Sequence, residues 1–171
     1  MSKRVTPSGV TWLGRVMVES DLNLVGDDEI LYRRCPNKIP SFVKPPDFIT
    51  KEVRMERAAL RLKVGENGLS CYRQKLLMSK GQGPVEVSGE KDGYVFAFRA
   101  HAVRDADTEE CWDVLFDPVE DQGDEKIGHA HSVVAPCANF RYNKSYKESL
   151  ELVRTAIIVL SYVAYAPAAK F

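Results

Sequence analysis

Histidine is the scarcest chemistry-bearing residue in this chain: three in 171 residues. Net charge is lacking too, with 24 basic residues balanced by 24 acidic ones. That balance provides no overall field to draw in nucleic acid or an anionic membrane, so neither is expected as a partner. No apolar run reaches membrane-spanning length; the longest, Ala156 to Ala169, is broken by Ser161 and Pro167. The four cysteines (Cys35, Cys71, Cys111 and Cys137) include no Cys-x-x-Cys pair, which excludes the usual zinc-site spacing. The opening residues Met-Ser-Lys-Arg-Val-Thr-Pro-Ser-Gly have no apolar core of the signal-peptide kind. Together these features predict a cytoplasmic protein with four reduced thiols. There is no phosphate-cradling glycine loop and no Gly-x-Ser-x-Gly elbow. Internal repeats and low-complexity tracts are also missing.

What is present is an ordinary globular composition, 44% hydrophobic and 28% charged. The expected organisation is a flexible N-terminus over residues 1–9 and a single domain over 10–171. Residues 10–18 fit a strand or a short helix equally. Glu29 to Cys35 reads as a strand. Pro36, Pro40, Pro45 and Pro46 then impose an extended loop. Arg57 to Val64 alternates and predicts a strand, followed by a turn over 65–68, a return strand over Leu69 to Tyr72, and a short helix over Arg73 to Met78. Tyr94 to Arg104 is rich in aromatic residues and valine and predicts a long strand. Cys111 to Phe116 is a shorter one, and Asp117 to Glu125 an acidic loop.

The last segment is patterned most strongly. Ser145-Tyr-Lys-Glu148 has capping-box spacing, and Leu150, Val153, Ile157, Leu160 and Ala164 recur at helical intervals, widened by Leu152, Ala156 and Val159. A helix over Ser145 to Ala164, ended by Pro167, is predicted. Strands joined by hairpin-length links, then one apolar helix, give an α+β fold: an antiparallel sheet covered by a long C-terminal helix.

The candidate chemistry centres on Lys126 to Pro136, which holds His129 and His131. Read as a strand, this run puts Ile127, His129, His131 and Val133 on one face, with the two imidazoles roughly 7 Å apart. Gly128, Ala130, Ser132 and Val134 share the other face, small enough to pack against the C-terminal helix. His101 and Arg99 lie on another predicted strand. If the strands neighbour each other, His101, His129 and His131 converge as a three-imidazole zinc site. Cys137, close to His131, is a conceivable nucleophile. Arg54, Arg57, Arg61, Lys63, Arg73, Arg141 and Lys144 make a basic stretch that lacks the interleaved aromatics of base stacking, so it reads as a solvated face.

Three resemblances follow from short segments. Gly128-His-Ala-His-Ser-Val-Val-Ala-Pro136 resembles the signature of histidine-triad nucleotide hydrolases and transferases. In that resemblance His131 matches the nucleophile, and Val133 stands where the third histidine belongs. Leu31-Tyr-Arg-Arg34 resembles the first strand of ADP-ribosyltransferase-like proteins. That resemblance implies Arg33 as the residue holding the nicotinamide ribose of NAD and Ser70 as part of a second motif. It leaves the third motif, a glutamate, without a match, since Glu125 falls in a loop. Finally, Leu31-Tyr-Arg-Arg34, Gly68-Leu-Ser70 and Gly128-His-Ala-His-Ser132 resemble segments of small uncharacterised bacterial proteins, which implies a similar single-domain fold.

Two function classes emerge. The first is a binding domain for a protein or small-molecule partner. The second is a small hydrolase or transferase acting on a nucleotide or phosphoester, with His129 and His131 catalytic and Arg33, Arg99 and His101 binding the ligand. The binding domain comes first because no catalytic set is complete. No cofactor is required by the sequence; zinc and NAD are the two that the histidine and Leu31-Tyr-Arg-Arg readings admit.

Overall fold

A computed structural model of the chain describes residues 11–12, 15–16, 24–37, 42–44, 53–62, 68–89, 93–120, 126–137 and 144–167, with backbone alone for 11–12, 15–16 and 144. The flexible stretch over 1–9, the turn at 65–67, Lys63, Val64, Arg141 and Glu125 lie outside the described residues.

In chain order, β1 (Thr11–Trp12) and β2 (Arg15–Val16) pair antiparallel. β3 (Ile30–Cys35) follows, and β4 (Val43–Lys44) pairs antiparallel with β5 (Arg54–Met55). A 3₁₀ turn covers Arg57–Leu60, and β6 (Leu69–Arg73) runs directly into α1 (Gln74–Met78). Next come α2 (Pro84–Ser88), β7 (Tyr94–Arg99), α3 (His101–Arg104) and β8 (Trp112–Phe116). A second 3₁₀ turn, Gly128–Ala130, precedes β9 (His131–Pro136), and α4 (Lys144–Leu160) leads to β10 (Tyr162–Tyr165).

The main sheet has six strands in the order β10-β7-β3-β6-β9-β8, every pairing antiparallel. Along β3, Leu31 and Cys35 face one side and Tyr32 the other. The first side belongs to the larger core, with Leu31, Phe96, Phe98, Cys71, Val134, Trp112 and Val114 packed against Tyr146, Leu150, Val153 and Ile157 of α4. The second side packs Tyr32, Val95 and Ala97 against Leu77 of α1 and Val87 of α2. The fold is therefore α+β, an antiparallel sheet with the long C-terminal helix on one face and two short helices on part of the other. Among the described residues, no helix is long and apolar enough to cross a membrane.

Several local expectations are corrected. Arg57 to Leu60 is not strand, because Ala59 and Leu60 are buried consecutively instead of alternately. β7 stops at Arg99: the Ala100 and His101 N–H groups donate to Glu29 O and Asp27 O, which turns the chain into α3. α4 begins at Lys144, so Ser145 lies inside the helix, and its hydroxyl donates to Glu110 Oε1 (2.9 Å). The helix ends at Leu160, where the Ser161 hydroxyl bonds Ile158 O. The strand-favouring Tyr-Val-Ala-Tyr that follows then pairs with the open edge of β7. The buried stripe of α4 is accordingly narrow, and Leu152, Val159 and Leu160 are exposed.

The cysteine expectation is half corrected. Trp112 pairs with Pro136 in the β8–β9 register, so Cys111 and Cys137 stand opposite one position further on. Their Cα atoms are 5.3 Å apart and they form a disulfide. Cys35 and Cys71 remain free and buried, and burial pushes both thiols up to about 12.

Candidate functional site

Antiparallel register places directly opposed side chains on the same face of a sheet. Following that rule across the main sheet, Tyr162 opposes Ala97, Ala97 opposes Tyr32, Tyr32 opposes Tyr72, and Tyr72 opposes His131. Asp117 extends the line, since its N–H donates to His131 O (3.1 Å). One row thus crosses the face opposite α4. Tyr32 sits at its covered centre, its hydroxyl accepting from Gln74 Nε2 (2.6 Å). Burial raises the Tyr32 hydroxyl above its ordinary value; the Gln74 bond acts the other way, and Tyr162 adds to the rise.

The next row outward runs Ser70, Val133, Leu115. With Tyr72, His131 and Asp117 these residues form a grid two rows deep and three strands wide. All six side chains are half-buried, whereas Tyr32, Val95 and Ala97 beside them are covered by α1 and α2. The grid is a ledge: one apolar pair, Val133 and Leu115, next to a polar row containing an imidazole and a carboxylate.

His131 is held tightly. Its Nδ1 lies 2.6 Å from Asp117 O and 3.5 Å from Asp117 Oδ2, and the Tyr72 ring meets it edge-on at 5.7 Å. A carbonyl oxygen has no hydrogen to give, so Nδ1 must be the donor. In the neutral ring Nε2 is then the bare nitrogen. His129 is arranged the opposite way. Its Nε2 donates to Leu76 O (3.2 Å), leaving Nδ1 bare, buried and without a hydrogen bond.

The strand that was to carry both imidazoles starts only at His131. β6 turns into α1 after Arg73, so β9 has no β6 partner beyond the Tyr72–His131 pair, and Gly128–Ala130 coils into a 3₁₀ turn. Ser132 and Val134 do face the α4 side as expected, while Ala130 packs in the smaller core.

The other sequence-predicted residues lie apart. Arg33 is on the α4 face, its guanidinium spent on Ala59 O (3.0 Å) and Ser70 O (2.6 Å). Arg99 is half-exposed and paired with Asp28 (3.0 Å). His101 opens α3, beyond the end of β7, and is on neither β9 nor a strand paired with it. Among the described residues no three His, Cys, Asp or Glu side chains are grouped to hold a metal ion, so His101, His129 and His131 do not converge. Cys137 is consumed by its disulfide. In the basic stretch, Arg57 bonds Glu151 and Thr155 on one wall of an open groove of about 460 Å³, and Arg73 is buried against Glu29.

Sequence reasoning missed Tyr32, Tyr72, Gln74, Leu115 and Asp117. Asp117 read as part of an acidic loop, and only the β8–β9 register brings it to His131. No protein-family model matches the chain, and no curated protein or solved structure does either.

Proposed function

We propose that this chain is a small-molecule-binding domain whose site is the ledge of Ser70, Tyr72, Leu115, Asp117, His131 and Val133. The observation that carries this reading is the Asp117-held imidazole of His131, half-buried at the end of an aromatic row whose centre, Tyr32, is buried. A buried or half-buried polar group fixed by its own neighbour, beside apolar surface, is how ligand sites combine orientation with affinity. Calorimetric titration with a nucleoside monophosphate, with NAD and with zinc tests it. Heat with any of these that disappears in His131→Ala supports the ledge. Heat that survives the substitution moves the site elsewhere, and no heat with any of the three removes nucleotides, NAD and zinc as ligands of the ledge.

A second reading is a hydrolase or transferase acting on a nucleotide or phosphoester. Asp117 favours it, because an acceptor on Nδ1 fixes the tautomer and orients the imidazole, leaving Nε2 to work as base or nucleophile. In this version His131 acts, and His129, bonded to the Leu76 carbonyl, positions the turn before it. An NAD site centred on Arg33 would require its carbonyl contacts to break. Turnover of a phosphoester that stops in His131→Ala and persists in His129→Ala separates catalysis from binding.

The proposed location is the cytoplasm. There the Cys111–Cys137 bond has to persist against a reducing thiol pool. Alkylation of acid-quenched cells should then find two free thiols per denatured chain; four would show the pair to be open in the cell.

A further inference from the structure

We propose that Nε2 of His131 is the hydrogen-bond acceptor of the ledge, and that its ligand carries a hydroxyl on an apolar ring, the phenol class. The inference rests on the ledge being a ligand site and names what that site takes.

The acceptor follows from the tautomer. Asp117 O fixes the hydrogen on Nδ1, so the remaining ring nitrogen offers a lone pair and cannot donate while the ring is neutral. The ring keeps 12% exposure, and no described side chain donates to Nε2. His129 does not compete for a ligand, because its bare nitrogen is buried. The charge around His131 narrows the class. The six grid positions hold one carboxylate, Asp117, and no lysine or arginine. Arg33 lies on the other face of the sheet, and Arg34 bonds Val87 O at α2. A phosphate or carboxylate group would meet Asp117 with no lysine or arginine among the six grid residues to offset it. A neutral hydroxyl meets a bare nitrogen instead. The neighbouring positions suit the rest of such a molecule: Val133 and Leu115 provide aliphatic surface, and Tyr72 an aromatic ring, on the same face of adjacent strands.

The test is histidine-selective ¹⁵N NMR of the full chain, titrated with phenol and, in parallel, with anisole, which keeps the ring and lacks the donor. Before ligand, His131 should show hydrogen on Nδ1 and His129 hydrogen on Nε2. Phenol should shift His131 Nε2 and the Val133 and Leu115 methyl signals together, and leave His129 unmoved. Anisole should bind more weakly by about fivefold, the worth of one neutral hydrogen bond. His131→Ala should abolish the preference for phenol. Hydrogen on His131 Nε2, or equal binding of the two probes, overturns the acceptor assignment even where the methyl signals respond. Methyl signals that respond to neither phenol nor anisole overturn the ligand class. Silence at the ledge toward the nucleoside monophosphate and NAD as well would remove the ledge reading beneath it.

Discussion

Strands β6 and β9 present two different surfaces to the two sides of the sheet. Toward α4 they place Leu69, Cys71, Arg73, Ser132 and Val134, all within 2% of full burial. Toward the other side they place Ser70, Tyr72, His131 and Val133, all half-buried. On the α4 side Arg73 bonds both carboxylate oxygens of Glu29 and Leu24 O, and lies over the Phe116 ring at 5.3 Å, while the Ser132 hydroxyl is buried without a hydrogen-bond partner. Among the described residues, the ledge side leaves Nε2 of His131 without a donor. The same backbone thus carries stability on one face and unspent chemistry on the other.

The largest effect should come from the α4 side. Glu29→Ala leaves the Arg73 charge buried without its carboxylate, and should cost about 3–5 kcal/mol in urea unfolding. A loss below 1 kcal/mol would erase the contrast between the faces. Opening the Cys111–Cys137 bond comes next. Its closed segment spans a sequence separation of 26 residues, and Cys111→Ser with Cys137→Ser should lower stability by about 2–4 kcal/mol. If thermal unfolding of the reduced and oxidised chains coincides, the bond does not hold the hairpin.

A third effect is set by pH. Cys35 and Cys71 are held neutral by burial, with thiols pushed from 9.0 up to about 12. The folded chain keeps its protons longer than the unfolded one, so this contribution is complete below about pH 9. It falls as pH rises toward 12, where the folded thiols ionise too. Both thiols should resist a disulfide reagent at pH 8 until denaturant is added, and stability measured from pH 8 to pH 11 should decline more steeply than in Cys35→Ala/Cys71→Ala. Parallel curves would show that the buried thiols contribute nothing to the alkaline loss. The smallest effect belongs to the ledge. His131→Ala removes one hydrogen bond and a half-buried ring, and should cost about 1 kcal/mol while ligand response is lost. Unfolding of this variant would make His131 a structural residue and bring the two faces together.

The chain's local chemistry was enough to specify its class. The β-branched and aromatic content of Ile30 to Cys35 and Tyr94 to Arg99, and the helical spacing of Leu150, Val153 and Ile157, mark strand and helix and reflect which side chains must leave water. What followed from partners was not written locally. Tyr162 to Tyr165 continues a helical stripe in sequence and becomes strand because β7 has an open edge to pair with. His129 loses its strand because β6 turns away. Cys111 meets Cys137, and Asp117 meets His131, because one hairpin register adds both pairs across residues whose spacing carries no sign of it. Composition and periodicity determine what a segment wants to bury. Only the pairing of distant strands decides which polar groups then face each other, and that pairing is where the candidate site comes from.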